Sequence, residues 1–142
     1  NDSESGNTMI YTGNHDNDTI VGWYKKSKNK KEIKKLLKEN NCYERKIHFS
    51  FIKYALKCKG RLVIIPVQDL LGLGTNSRIN IPGTCGNFNW SWKLKSFKGI
   101  DKNIKSINHD KTIGIIIVKK GNKFILEYSS DKRIFATTYM LK

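Results

Sequence analysis

The chain is poor in the residues that most often announce a function. Its 142 residues hold 3 cysteines and 2 prolines, and 12 acidic side chains face 27 lysines and arginines. Cys42, Cys58 and Cys85 are odd in number and widely spaced, with no Cys-x-x-Cys pair, which argues against a zinc site or thioredoxin-type chemistry. Three free thiols suit a reducing, cytoplasmic setting. His15, His48 and His109 are equally scattered, so no metal and no other cofactor is expected. No apolar run approaches the roughly 18 residues of a membrane span; the longest, residues 113–118, is strand-sized. There is no Walker A sequence and no Gly-x-Ser-x-Gly. Gly72-x-Gly74-x-x-Ser77 follows a strand as a dinucleotide fingerprint does, but its third glycine is missing and Asp69 would set a negative charge near the phosphates. Asp16-x-Asp18 opens like a calcium loop, yet Val21 stands where that loop needs Gly and Ser27 where it needs Glu.

What the chain has in excess is lysine. The net charge of +15 admits a nucleic-acid or anionic-membrane partner. Arginine, the bidentate reader of phosphate, occurs only at Arg45, Arg61, Arg78 and Arg133, and no RRM-like aromatic-basic module is present. Solvated lysine on helix faces is the better account, so neither nucleic acid nor membrane is expected as a partner. The chain does not begin with Met, and residues 1–6 carry no apolar signal core; it reads as a cut through a longer protein.

Residues 8–12 are β-branched and aromatic enough for a short strand. A polar run, Asn14-His15-Asp16-Asn17-Asp18-Thr19, follows, and Asp18 or Thr19 can cap a helical turn into Val21-Gly22-Trp23. Residues 25–31 read as a basic linker. Ile33, Leu36 and Leu37 predict a helix over 32–39, stopped at Asn40-Asn41. A second helix is predicted over 43–59, with Ile47, Phe51, Tyr54, Ala55 and Cys58 as its apolar stripe and Gly60 beyond its end. Leu62 to Ile65 is a continuous apolar run, as in a strand buried on both faces, and Pro66 ends it. Strand, helices and strand make a right-handed parallel crossover. It sets the polar loops 14–19 and 68–89 side by side at the C-terminal ends of neighbouring strands, where α/β proteins carry their sites. Beyond a boundary near 94–108 the pattern changes. Residues 113–118 and 123–128 flank Gly121-Asn122 as in an antiparallel hairpin, and residues 133–139 suit a third short strand.

Asp16 is the leading chemical candidate. It follows a strand, His15 flanks it, and Asn14 and Asn17 can hydrogen-bond around it. A carboxylate beside a sugar ring stabilises an oxocarbenium-like transition state; otherwise Asp16 is a helix-capping Asp among surface asparagines. Arg78, Asn80 and Gln68 suit hydroxyl recognition, or pin a long loop to itself. Phe88, Trp90 and Trp92 alternate and would share one face of an extended segment. Core packing is favoured for them over stacking on sugars or bases.

At these residues the chain resembles the 4-α-glucanotransferases (amylomaltase, or disproportionating enzyme). Tyr11-Thr12-Gly13-Asn14-His15-Asp16-Asn17-Asp18-Thr19 with Val21-Gly22-Trp23 is similar to one motif of that family. Pro66-Val67-Gln68-Asp69-Leu70-Leu71-Gly72-Leu73-Gly74 with Arg78-Ile79-Asn80-Ile81-Pro82-Gly83-Thr84 is similar to a second, and Asn89-Trp90-Ser91-Trp92-Lys93-Leu94 to a third. They occur in the family's order. The resemblance implies that residues 1–94 are the seventh and eighth strands, with helices, of an α/β (β/α)8 TIM barrel. Residues 95–142 would be an unassigned β-rich tail with a hairpin near 113–128. It implies retaining transfer of α-1,4-glucan segments between maltodextrins or to glucose. In it Asp16 is the transition-state-stabilising carboxylate and His15 a hydroxyl contact. Asn80 lies near the donor sugar, and Asn14, Gln68 and Arg78 join the substrate-binding set. The nucleophile Asp and the acid/base Glu would lie upstream of Asn1, so the chain alone is expected to be inactive. Asn14 stands where Thr is usual and Lys93 where Arg is usual. Residues 95–142 depart from the family, which usually closes with a short amphipathic helix. The rival from another class is a non-enzymatic basic module that binds nucleic acid or carbohydrate.

Overall fold

The computed structural model describes residues 8–60, 62–96, 99–107, 114–118 and 134–138. The strand β1 (Met9–Tyr11) lies parallel to β2 (Leu62–Ile64), with Met9 opposite Leu62 and Tyr11 opposite Ile64. Three helices make the crossover between them: α1 (Ile20–Lys26), α2 (Lys30–Glu39) and α3 (Ile47–Lys57). The hydroxyl of Thr19 caps α1 by accepting the N–H of Gly22 at 3.1 Å. The basic stretch 25–31 is therefore mostly helical: Lys25 and Lys26 form the last turn of α1, where cations suit the carbonyl end, and α2 resumes at Lys30. Helix α2 stops where Asn41 turns left-handed (φ 53°) and the Cys42 N–H reaches back to the Leu37 carbonyl at 2.7 Å. Only Leu37 of α2 is buried; Leu36, placed in the expected stripe, is 47% exposed.

Helix α3 begins later than the apolar pattern predicts. Ser50 Oγ accepts from the N–H of Glu44 and donates to its carbonyl, folding residues 44–46 back against the first turn. The buried face also differs from the expected stripe. His48, Ser50, Ile52, Ala55 and Leu56 are buried, whereas Ile47, Phe51, Tyr54 and Cys58 are half-buried. The cause is that α3 packs against α1 and α2 and also against two later helices, so a single-face stripe does not describe it.

Those two helices were absent from the sequence-based expectation. Helix α4 (Val67–Leu70) follows Pro66 directly, inside a stretch read as loop. Gly72 closes it at φ +66°, and a Cβ there would run into the His48 ring, so both conformation and packing require glycine. Helix α5 (Ile100–Ile107) lies in the region read as β-rich. Ile100, Ile104 and Ile107 form one face of it and pack on Ile52, Leu56 and Leu70, with Val63, Ile65 and Leu94 completing the core. A short amphipathic helix thus does follow the third motif.

The described tail strands, β3 (Gly114–Val118) and β4 (Ile134–Thr138), pair in parallel, Gly114 opposite Ile134 and Val118 opposite Thr138. The expected hairpin pairs 113–118 with 123–128 instead, so this parallel pair joins the first expected strand to the third. Apolar alternation does not encode strand direction, and residues 119–133 exceed the dozen or so that a parallel connection needs. The second arm of the expected hairpin, residues 123–128, lies outside the described residues.

Candidate active site

The parallel pairing brings the loop after β1 and the segment after β2 to one edge, and hydrogen bonds lace them together. The loop 13–19 is first shaped from within. Asn14 N–H donates to Asn17 Oδ1, and Asn14 Oδ1 accepts the N–H of Asp16, both at 2.9 Å. Asp16 is thereby held at the tip, its side chain 47% exposed.

The second segment then runs along that tip. Arg78 Nη2 donates to the Asp16 carbonyl at 2.8 Å, and Arg78 Nε donates to the Asn80 carbonyl at 3.1 Å. The Asn80 N–H donates to the His15 carbonyl at 3.2 Å. Asn80 Nδ2 donates to Asp16 Oδ1 at 2.7 Å, while His15 Nε2 lies 3.3 Å from the other oxygen, Oδ2. Asp16, His15, Asn80 and Arg78 therefore converge, and Asn14 supports Asp16 from below. Gln68 is buried on α4 and lines a shallow recess with Asn14, Asn17, Asp18, Asp69 and Arg78. Asp16 and His15 are not among the residues that line it.

The aromatic segment corrects the extended ladder. Trp90 is left-handed (φ 61°), its N–H donating to the Ile79 carbonyl at 2.6 Å. Asn89 ties the turn by accepting the Ile81 N–H and donating to the Thr84 carbonyl, each at 2.9 Å. Phe88 and Trp90 are 52% and 65% exposed, so neither is a core residue among the described contacts. The Trp90 ring lies 5.1 Å from the His15 ring, which sets an open aromatic plate beside the carboxylate.

Two carboxylates beneath the tip act as acceptors between segments. Asp69, 2% exposed, accepts the Thr12 hydroxyl on Oδ2 at 2.9 Å and the Ile20 N–H on Oδ1 at 2.7 Å. Burial, with a smaller push from Asp18, holds its pKa above the usual carboxylate range against the pull of these two donors. Asp18 accepts the Thr19 N–H on Oδ1 at 2.9 Å; on Oδ2 it accepts Thr75 Oγ1 at 3.0 Å and Lys26 Nζ at 2.7 Å. Burial works to raise its pKa, but the bonds from Lys26 and Thr75 outweigh it and leave the group below its ordinary value. Among the described residues no group of three His, Cys, Asp or Glu side chains converges to hold a metal, and no helix is long and apolar enough to cross a membrane.

The model of the 4-alpha-glucanotransferase family, glycoside hydrolase 77, matches residues 2–99. The chain belongs to that family. The 4-alpha-glucanotransferase of Synechocystis is 41% identical over 90 residues, which are 63% of this chain and 17% of that protein. The chloroplastic/amyloplastic 4-alpha-glucanotransferase of Solanum tuberosum is 42% identical over 95 residues, 67% of this chain and 16% of that protein. Among solved structures, the amylomaltase from Streptococcus agalactiae in complex with acarbose superposes with a TM-score of 0.61 at 25% identity, covering 72% of this chain and 21% of that one. The chain thus spans a small part of the 4-alpha-glucanotransferases it matches. Within that part the sequence reasoning passed over Asp69, Thr12 and Thr75. The available signal was a lone carboxylate in the apolar run 62–73, since a buried charge requires donors from somewhere.

Proposed function

We propose that this chain is the C-terminal portion, the seventh and eighth strands with their helices, of the (β/α)8 barrel of a cytoplasmic 4-α-glucanotransferase. That enzyme moves segments of α-1,4-glucan between maltodextrins or to glucose by a retaining double displacement. The observation that carries the proposal is the presentation of Asp16. Its carboxylate stands half-exposed at the C-terminal edge of a parallel strand pair, the edge on which barrel enzymes build their sites. One oxygen is fixed by Asn80 and the other faces His15. A carboxylate so oriented supplies negative charge where an oxocarbenium-like sugar develops positive charge, without reorganising as it does so. His15, Asn80 and Arg78 hold the geometry and offer polar contacts to sugar hydroxyls. Asn14 and Gln68 line one recess together with Arg78, and the exposed Trp90 ring suits an apolar sugar face.

Double displacement needs two further groups, a nucleophile and an acid/base about 5 Å apart across the scissile bond, and in this reading they lie upstream of Asn1. The 142-residue chain alone then catalyses no transfer. The test is Asp16→Asn in the full-length protein, assayed by disproportionation of maltotriose. Transfer is expected to fall by several orders of magnitude with the melting temperature preserved. Near-parental turnover by that variant would overturn the proposal, as would turnover by the isolated chain for the upstream assignment.

A further inference from the structure

We infer that Asp69 is the positioning residue of the loop that carries Asp16, and that transfer depends on Asp69 through Asp16 rather than through any contact with sugar. The inference rests on the role proposed for Asp16. Its basis is where the two donors to Asp69 sit in the chain. Thr12 is the residue immediately after β1, and Ile20 is the first residue of α1. They bracket the loop 13–19. One carboxylate from α4 therefore grips both ends of that loop, 2.9 Å from the Thr12 hydroxyl and 2.7 Å from the Ile20 nitrogen. Gly13 passes over the same carboxylate, so that a Cβ on it would lie 3.6 Å from Asp69 Oδ2. The bonds inside the loop, from Asn14 and Asn17, set its curvature, but none of them sets where the loop stands on the sheet. Arg78, Asn80 and Thr75 hold the middle of the loop, and Asp69, on the helix that follows β2 after Ile65 and Pro66, holds both of its ends.

The residue type fits the task. Two donors converge on two oxygens of a side chain that is 2% exposed, so water cannot stand in for either. A carboxylate accepts at both oxygens. An amide of the same shape accepts the Ile20 N–H at its oxygen and donates its NH2 to the Thr12 hydroxyl, which accepts as well as donates, so Asp69→Asn keeps both ends tied, whereas Asp69→Ala releases both. Thr12→Val releases the Thr12 end alone, and Thr12→Ser keeps the hydroxyl.

The experiment uses the full-length protein and reads kcat and KM for maltotriose disproportionation, each corrected for the folded fraction by circular dichroism. Asp69→Ala is expected to lower kcat about a hundredfold with little change in KM, the scale on which a misplacement near 1 Å acts. Thr12→Val lowers the same parameter by less, and Thr12→Ser recovers most of that loss. On an Asp16→Asn background, Asp69→Ala adds nothing further, because the group it positions is already gone. Retention of kcat by folded Asp69→Ala overturns the inference. So does a loss that multiplies with that of Asp16→Asn, or one shared equally by Thr12→Val and Thr12→Ser. Near-parental transfer by Asp16→Asn instead overturns the underlying function, a different result from a failure of Asp69 alone.

Discussion

Gly22→Ala separates helix propensity from packing at the root of the candidate site. Gly22 lies inside α1, where alanine should gain about 1 kcal/mol over glycine from backbone entropy alone. The geometry opposes it. A Cβ at position 22 would collide with Asp18 Oδ1 and Thr75 Oγ1, members of the hydrogen-bonded pair that ties the first loop to the second. Asp18 is 9% exposed at its side chain, so water does not replace a lost donor. Overpacking costs about 1–3 kcal/mol, and a broken hydrogen bond to a charged group about 1.5–3 kcal/mol. The two losses overlap, because displacing the pair relieves the collision. Set against the propensity gain, the expected net is a destabilisation of about 0.5–2 kcal/mol. Gly74, in the same loop region, supplies the contrast. No atom lies within 4 Å of a Cβ built there, and its φ of −87° suits any residue. Gly74→Ala is therefore expected to be neutral or to stabilise by about 0.4–1 kcal/mol. Denaturant unfolding of both variants in the full-length protein, followed by circular dichroism, makes the comparison. Thr75→Ala removes one of the two colliding atoms and should shrink the Gly22→Ala penalty by a measurable coupling energy. A Gly22→Ala protein at least as stable as its parent would refute the steric reasoning, whatever Gly74→Ala does.

Two further outcomes follow from the same contacts. Asn80→Ala removes the 2.7 Å bond to Asp16 Oδ1 and should lower maltotriose turnover by about 10–100-fold with the fold intact; unchanged turnover would show that Asp16 needs no such orientation. Asp18 has a folded-state pKa depressed below 3.8, so its stabilising contribution is present above that value and lost as pH falls through the folded pKa. Asp18→Asn should accordingly cost more stability at pH 7 than at pH 3, and an equal cost at both would rule out ionisation as the source.

How far the molecule could be read from its residues depends on how far apart the interacting residues lie. The strand, helix, helix and parallel strand order rests on local signals: the apolar run at 62–65, the Thr19 cap and the Asn41 stop. All of these were legible. Helix α5 was not foreseen: Ile100, Ile104 and Ile107 carry helical spacing, but the segment falls in the stretch expected to be β-rich. The late start of α3 was not legible, because it depends on Ser50 reaching back to Glu44. Nor was the left-handed Trp90, which depends on the Ile79 carbonyl. Alternation of aromatics predicts a shared face only where the backbone is extended, and one residue at φ 61° removes that condition.

The carboxylates make the same point for chemistry. Asp16, Asp18 and Asp69 all stand in polar or glycine-bordered motifs, and nothing adjacent in the chain ranks them. What ranks them is the number of donors that reach each one. Asp69 has a donor on each oxygen, one of them 57 residues away, and no exposed face. Asp18 has three, including a lysine. Asp16 has one strong donor, from Asn80, and a histidine at its second oxygen, and its side chain remains 47% exposed. A carboxylate whose acceptor capacity is spent inside the protein can only hold structure. One that is oriented by its neighbours but not exhausted by them has a lone pair left for a ligand. By that criterion the three separate into two that build the loop and one that the loop presents.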